Sequence, residues 1–214
     1  MRFGSDRAPG FYEEITIMGK TILLFIMSTL IGTLAGCAGN RSLIESMGAG
    51  TGQGIFREID ENASPAPGYV DLRIHSSLKM HKPGIYSRRD AHGTADYTLL
   101  VNIDGQATIL KGVLNEEGSE ALPMGDPEEG EGIRYLFTKR LRLRAGSHRV
   151  AVALPVDDIV AERELILSEG EVSSLAIEPV YGTVPGKQRP GTFGRKSFRE
   201  GIKSIRLQLN GKSI

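Results

Sequence analysis

From residue 69 onward the apolar residues fall at every second position, in runs short enough to be strands. Val70, Leu72 and Ile74 alternate with Asp71, Arg73 and His75. Tyr97, Leu99, Val101 and Ile103 repeat the pattern and run into Asp104-Gly105, a hairpin dipeptide, with Ala107 to Val113 as the return strand. Ile133, Tyr135 and Phe137 come next, then Leu141 and Leu143 set between Arg140, Arg142 and Arg144. Ala145-Gly146-Ser147 turns the chain into Val150, Val152 and Leu154. Ile159 to Leu167 and Val172 to Ile177 form a further pair around Glu169-Gly170-Glu171. Ile205, Leu207 and Leu209 close the series before Asn210-Gly211. A period of two sends successive side chains to opposite faces, so one face can enter a core while the other meets water. About eight such strands with turn signals between them predict an all-β fold, an antiparallel β-sandwich over 69–181. A barrel is the alternative closure, and no stretch holds a helical period.

Composition limits what this fold can do. The chain has 214 residues, which suits one ordinary domain with an N-terminal extension, or two small ones. Tryptophan is absent and aromatics make up 6%, so the core must be mainly aliphatic. The 26 basic residues are matched by 26 acidic ones, whereas nucleic-acid binding normally needs a basic excess, so no nucleic-acid partner is expected. The single cysteine, Cys37, rules out an intrachain disulfide.

The surroundings of Cys37 give it a role. Met18-Gly19-Lys20 precedes an apolar run from Thr21 to Leu34, and the sequence then reads Leu34-Ala35-Gly36-Cys37. A short basic start, an apolar stretch and small residues at its end define a secretory signal. The apolar stretch is shorter than the roughly 20 residues of a spanning helix. Residues 1–17 carry Asp6, Glu13 and Glu14, which suit a signal poorly and point to Met18 as the true start. Leu34 to Cys37 resembles the lipobox of bacterial lipoproteins. That resemblance implies cleavage after Gly36, making 1–36 the signal peptide, and lipid on Cys37 as the membrane anchor. Several acyl chains, at ~0.8 kcal/mol per buried methylene, hold a protein stably on a bilayer. Ala38 stands where the family places Asp for inner-membrane retention, so the resemblance implies the outer membrane, facing the periplasm.

Residues 37–68 read as the lipidated Cys and a flexible linker, with Gly48, Gly50, Gly52 and Gly54 alternating and Ala63-Ser64-Pro65-Ala66-Pro67-Gly68 at the end. Short helical turns are expected at Ser42 to Met47 and Ile55 to Ile59. Residues 182–214 read as a basic Gly/Pro-rich extension with a terminal strand that either completes the sheet or pairs with a partner. Leu141 to Tyr181, with Gly146-Ser147-His148-Arg149-Val150 after its turn, resembles small immunoglobulin-like or PEGA-like envelope modules, although the Pro-Glu-Gly-Ala element is missing. The resemblance implies an immunoglobulin-like sandwich and brings no catalytic residue with it.

No motif supplies a catalytic, cofactor or metal set. Ser76-Ser77-Leu78-Lys79 matches the Ser-x-x-Lys of β-lactamases, but it lies in a strand pattern where residues three apart face opposite ways. His75, His81 and His92, with Asp90 and Asp96 nearby, could in principle bind a metal. Their spacing fits no metal motif, and Pro83, Gly84 and Gly93 suggest a mobile loop bearing surface histidines. Gly182 to Gln188 is one residue short of a phosphate-binding loop, and the Gly48–Gly54 run has no preceding strand. Charge is segregated. Glu116, Glu117, Glu120, Asp126, Glu128, Glu129 and Glu131 share one stretch. Lys187, Arg189, Arg195, Lys196, Arg199, Lys203, Arg206 and Lys212 fall near the C-terminus, against Glu200. The plainest account is two solvated loops; the sharper one is that they attract each other or separate partners. The acidic stretch also lacks the ligand order of an EF-hand.

The expectation is therefore a membrane-anchored lipoprotein that acts as a non-enzymatic binding or assembly module of the bacterial cell envelope. It would have no cofactor, with an envelope protein as partner through the terminal strand or the charged segments. The alternative is an envelope-polymer hydrolase or transferase whose site is dispersed over loops.

Overall fold

The computed structural model describes residues 35–49, 52–60, 63, 66–84, 88–118, 125–183 and 196–214. The signal at 1–34, the side chain of Cys37, Glu120, and Lys187, Arg189 and Arg195 lie outside the described residues. The chain divides into two compact units, 1–40 and 41–214.

The larger unit, 41–214, is built of strands around one apolar core, as the period of two predicts. Eleven strands are described: β1 Phe56–Glu58, β2 Tyr69–Met80, β3 Thr98–Ile103, β4 Gln106–Lys111, β5 Val113–Glu117, β6 Gly132–Arg144, β7 Gly146–Leu154, β8 Ile159–Leu167, β9 Val172–Tyr181, β10 Ile202–Leu209 and β11 Lys212–Ser213. One sheet has the order β1-β6-β2-β9-β10-β11, and β5 shares the outer edge of β6 with β1. The other has the order β4-β3-β7-β8. Both sheets feed one core: Leu72, Ile74, Phe137 and Leu141 from the first meet Leu99, Val101, Val152 and Leu165 from the second. The hairpins turn where the sequence placed them. Asp104 and Gly105 have φ of 48° and 92°, and Asn210 and Gly211 have φ of 51° and 77°. Those are the left-handed conformations that two-residue hairpins demand.

Four features differ from the sequence expectation, the first being that Ile55 to Ile59, expected as a helical turn, contains strand β1, which pairs with β6. The pairing is not wholly antiparallel, because β2 runs parallel to β9, with Leu72 opposite Ser173 and Ser76 opposite Ile177. Alternation records which face is buried and carries no strand direction, so the sequence was silent on this. The expected return strand from Ala107 to Val113 is two strands on different sheets, β4 beside β3 and β5 beside β6. The chain crosses at Gly112, where a Cβ would lie 3.0 Å from the Tyr135 ring and 3.1 Å from Phe137. The expected pair of Ile159 to Leu167 with Val172 to Ile177 is also split between the sheets, β8 beside β7 and β9 between β2 and β10, because the Glu169-Gly170-Glu171 turn carries the chain from one sheet to the other. The terminal strand β10 takes the first of its two expected places and completes the main sheet, pairing with β9 from Ile202 opposite Tyr181 to Leu209 opposite Leu175.

Much of the stretch read as a linker is packed. Helix α1, Ala35–Gly48, carries Leu43, Ile44 and Met47 on one face. They cover Leu100, Ala151 and Ala153 on the outer face of the second sheet. The Asn102 side-chain amide donates to the Met47 carbonyl at 3.1 Å, satisfying one of the free carbonyls at the helix end. Further on, Gln106 acts as a surrogate strand for β1. Its Oε1 accepts from the amides of Ile55 (2.8 Å) and Phe56 (3.2 Å), and its Nε2 donates to the Phe56 carbonyl at 2.9 Å. Between the two, the Gly52 amide donates to the Gly105 carbonyl at 3.2 Å. A Cβ on Gly52 would sit 2.7 Å from the Gly105 carbonyl carbon, whereas one on Gly48 meets nothing within 4 Å. Gly52→Ala should therefore lower stability by about 1–3 kcal/mol through overpacking, while Gly48→Ala leaves it intact or raises it. Urea denaturation of both variants checks this, and equal stabilities would mean that residue 52 does not dock on the hairpin.

The outer face of the first sheet carries a buried ion cluster. Asp71 and Arg142 are cross-strand neighbours on β2 and β6. The Arg142 guanidinium donates to Oδ1 of Asp71 at 2.6 Å and to Oδ2 at 3.0 Å, and Arg140 donates to Oδ2 at 2.8 Å. The bond from Arg142 is the main reason the Asp71 carboxyl is held below its ordinary value of 3.8, outweighing its burial. A depressed carboxyl contributes stability that is complete above its unfolded-state pKa and is lost as pH falls through the folded one. Thermal melts should thus show a loss of stability on acidification below about pH 4. Asp71→Asn should be less stable at pH 7 and should flatten that acid slope. A variant with the wild-type acid profile would remove Asp71 as its source.

Candidate functional site

The strongest concentration of chemistry lies at one end of the core, where the loop after β2 folds back over it. His81 follows the last residue of β2, Asp90 and His92 sit in the loop to β3, and Asp157 sits in the turn between β7 and β8. Their side chains are 2%, 12%, 4% and 4% exposed. His81 Nε2 lies 2.9 Å from Asp90 Oδ2. The other Asp90 oxygen meets His92 Nδ1 and also accepts the His92 backbone amide at 3.1 Å. His92 Nε2 reaches Asp157 Oδ1 at 3.0 Å, and the Tyr97 hydroxyl donates to Asp157 Oδ2 at 2.7 Å. The rings follow one another in tilted contact, with centroids 5.1 Å apart for His81 and His92, 5.3 Å for His92 and Tyr97, and 5.1 Å for Tyr97 and Tyr135.

Protonation states follow from the partners. An ionised carboxylate only accepts, so His92, facing one through each ring nitrogen, must donate from both and is an imidazolium. Burial alone would lower its pKa, but Asp157 and then Asp90 more than reverse that, and the net shift is upward. For Asp90 burial pushes upward, yet the bonds from His92, with a smaller one from His81, bring the carboxyl down to about 2. Burial, then the charge of Asp157, hold the Tyr97 phenol far above its ordinary value, fixing it as a donor.

This overturns the expectation of surface histidines on a mobile loop for two of the three. His75 does remain exposed on β2, 3.3 Å from the Ser174 hydroxyl. His81 and His92 are 2% and 3% exposed. Gly93, at φ 76°, would place an added Cβ only 2.6 Å from the His81 carbonyl oxygen, so the described part of the loop is tightly packed there. Asp96 is exposed and lies outside the cluster. Asp157 and the partnership of Tyr97 were missed by sequence reasoning, because Asp157 comes from a turn 65 residues beyond His92. The one local hint was an Asp-Asp pair after Pro155, where Asp158 adopts a φ of 59°.

The Ser-x-x-Lys pair separates as its strand pattern predicts. The Ser76 hydroxyl donates to the Ile177 carbonyl at 2.6 Å, while Lys79, on the opposite face, donates to the Glu128 carbonyl at 2.8 Å and pairs with Glu117 at 2.9 Å. Lys79 anchors a second network. Arg134 binds Glu117 through Nε and Nη2, Glu128 at 2.8 Å and the Ser77 hydroxyl at 2.9 Å, and the Tyr181 hydroxyl donates to Glu128 at 3.0 Å. Arg134 first, and Lys79 after it, hold the Glu117 carboxyl below its ordinary range against burial. Part of the acidic stretch is therefore strapped to β2 and β6 rather than solvated. It also touches the C-terminal segment: the Phe198 amide donates to the Pro127 carbonyl at 2.9 Å, and the Arg199 guanidinium lies over Gly130.

A groove of about 690 Å³ runs elsewhere, along the β1 edge, lined by Glu58, Asp60, Arg73, Thr138, Lys139 and Arg140 among others. It holds no histidine, and its charges are mixed in sign. The buried cluster can store a proton or hold a cation, since donor atoms of His81, Asp90 and His92 all lie within 4.8 Å of one another. It presents almost no surface to a substrate. No family model, curated protein or solved structure matches the chain.

Tyr97→Phe keeps the ring and deletes one donor to a charged acceptor. It should cost about 1.5–3 kcal/mol in chemical denaturation. Tyr69→Phe, on an exposed ring, should cost almost nothing. Equal losses would show that the Tyr97–Asp157 bond carries no weight.

Proposed function

We propose that the chain is a bacterial lipoprotein, moored through lipid on Cys37, whose β body serves as a non-enzymatic binding or assembly module of the cell envelope. The outer membrane, facing the periplasm, is its place in this reading. The observation that carries the non-enzymatic part is the burial of the chemistry. His81, His92, Asp157 and Lys79 are each nine-tenths or more buried and bonded to one another or to Asp90, Glu117 and Glu128. What faces outward is strand edge and mixed charge. Among the described residues β4 and β8 bound the second sheet, and Ile109 and Ile166 on them are 59% and 77% exposed. An edge strand with exposed apolar side chains suits a partner that adds a strand of its own. Lys203 and Arg206 on β10, and the strapped acidic stretch, offer charge to the same kind of protein partner.

We take the two sheets as an immunoglobulin-like sandwich within this reading. Their common core supports it, and the parallel β2–β9 pair is its departure from an antiparallel plan. Among the described residues no helix is long and apolar enough to cross a membrane.

Labelling with a radioactive fatty acid, followed by fractionation, tests the anchor. The wild-type chain should carry label and sediment with membranes, and Cys37→Ser should lose both. Affinity capture from those membranes should then recover the same envelope proteins repeatedly. An unmodified thiol or a retained leader in the mass spectrum refutes the anchor. Turnover of cell-wall polymer by the purified protein, with no recovered partner, refutes the module.

A further inference from the structure

We infer that His81, Asp90 and His92 form a binding site for one divalent transition-metal ion of the zinc class. Three observations converge on it. The first is donor placement: His81 Nε2, His92 Nδ1 and the Asp90 carboxylate face one another, all within 4.8 Å. Two imidazoles and a carboxylate are borderline donors that suit zinc or cobalt rather than calcium or magnesium, which prefer oxygen alone.

The second is an outer layer already built. A metal-bound histidine typically donates its other ring nitrogen to a carboxylate, which fixes the tautomer and raises the basicity of the ligating nitrogen. His92 does this through Nε2 to Asp157 at 3.0 Å, and the Tyr97 hydroxyl holds Asp157 in turn at 2.7 Å. The third is the backbone. Gly93 has no room for a side chain against the His81 carbonyl, which lets the loop bring His92 beside His81.

The proton balance is simple. Without an ion His92 donates from both nitrogens. A dication takes the lone pairs of His92 Nδ1 and His81 Nε2, so the proton each shares with Asp90 leaves those atoms, that of His92 to solvent and that of His81 to solvent or to its own Nδ1, while the His92 Nε2–H stays on Asp157. At least one proton leaves for each ion bound, so affinity should rise with pH. Among the described residues three protein donors face the ion, which leaves one position of a tetrahedral set beyond them. The site joins the end of β2 to the loop that leads into β3, and the Asp157 contact extends it to the β7–β8 turn. Its effect is therefore to lock two strand connections together, β2–β3 and β7–β8. This inference is independent of the anchor on Cys37 and of the binding-module reading.

Co²⁺ titration of the full chain, freed of metal by chelator and dialysis, tests it. Visible absorption bands should saturate at one equivalent, Zn²⁺ should bleach them, and Zn²⁺ should raise the Tm of the wild-type protein. His81→Gln and Asp90→Asn should abolish the bands, whereas His75→Gln and Cys37→Ser should keep them. Circular dichroism confirms that each variant is folded. Failure of the wild-type chain to saturate at one equivalent, or to gain Tm with Zn²⁺, overturns the site without reference to any variant. Bands that survive in His81→Gln, or vanish in His75→Gln or Cys37→Ser, overturn it as well.

Discussion

Burial of the inward face of β2 is the constraint on which the rest of the structure hangs. This strand pairs with β6 on one side and β9 on the other, so it is central to its sheet. Leu72, Ile74, Leu78 and Met80 on it are wholly buried. A slip of one residue would turn all of them to the outer face and bring Arg73, His75 and Ser77 into the core. The register is therefore fixed by the core, and it fixes everything on the other face in turn. Asp71 lies opposite Arg142, and Lys79 opposite Arg134, because the apolar residues between them leave no other register. The buried ion cluster and the strap over the acidic stretch are consequences of that register rather than independent inventions.

The same strand explains why the histidine cluster sits where it does. β2 ends at Met80, on the core side, and His81 follows at the rim. A histidine there can be covered only by chain that returns over the end of the core, and residues 88–97 do so. Burying a charged imidazolium is costly unless it is paired and hydrogen-bonded. Asp90 and Asp157 meet that cost from both sides. Since they arrive from different connections, the loop and the β7–β8 turn are held to one another by polar bonds where the apolar core runs out.

How much of this could be read in the sequence depends on the range of the interaction. Alternation along Val70–Ile74 and Leu99–Ile103 is local, and so are Asp104-Gly105 and Asn210-Gly211, so the strands and their tight turns were legible. Sheet membership was not. Ala107 to Val113 alternates without a break across Gly112, yet the chain changes sheets there because two aromatic rings from β6 occupy the space of a side chain. The glycine run at 48–54 looks like a free linker by composition. One of its glycines is small because it touches a hairpin more than fifty residues away. His81, Asp90 and His92 were noticed, but their burial was invisible, since it depends on Asp157 from the β7–β8 turn, which Tyr97 in turn holds. The acidic stretch was noticed as well, while the cations that Glu117 and Glu128 meet among the described residues come from β2 and β6, far off in sequence.

The docking of α1 changes what lipid on Cys37 would do. A free linker of about 30 residues would let the body range over ~30 Å from a bilayer. Leu43, however, already packs against the outer face of the second sheet. Six residues separate it from Cys37, and six residues span at most about 20 Å even when fully extended. An anchor at that position therefore keeps Leu43, and the sheet it rests on, close to the headgroups whatever path the intervening chain takes. A body held at so short a reach meets partners in or beside the membrane far more readily than partners free in the space beyond it. Were Cys37 lipidated, a partner of the kind proposed would be met at the strand edges of β4 and β8 rather than on the face that Leu43, Ile44 and Met47 already cover.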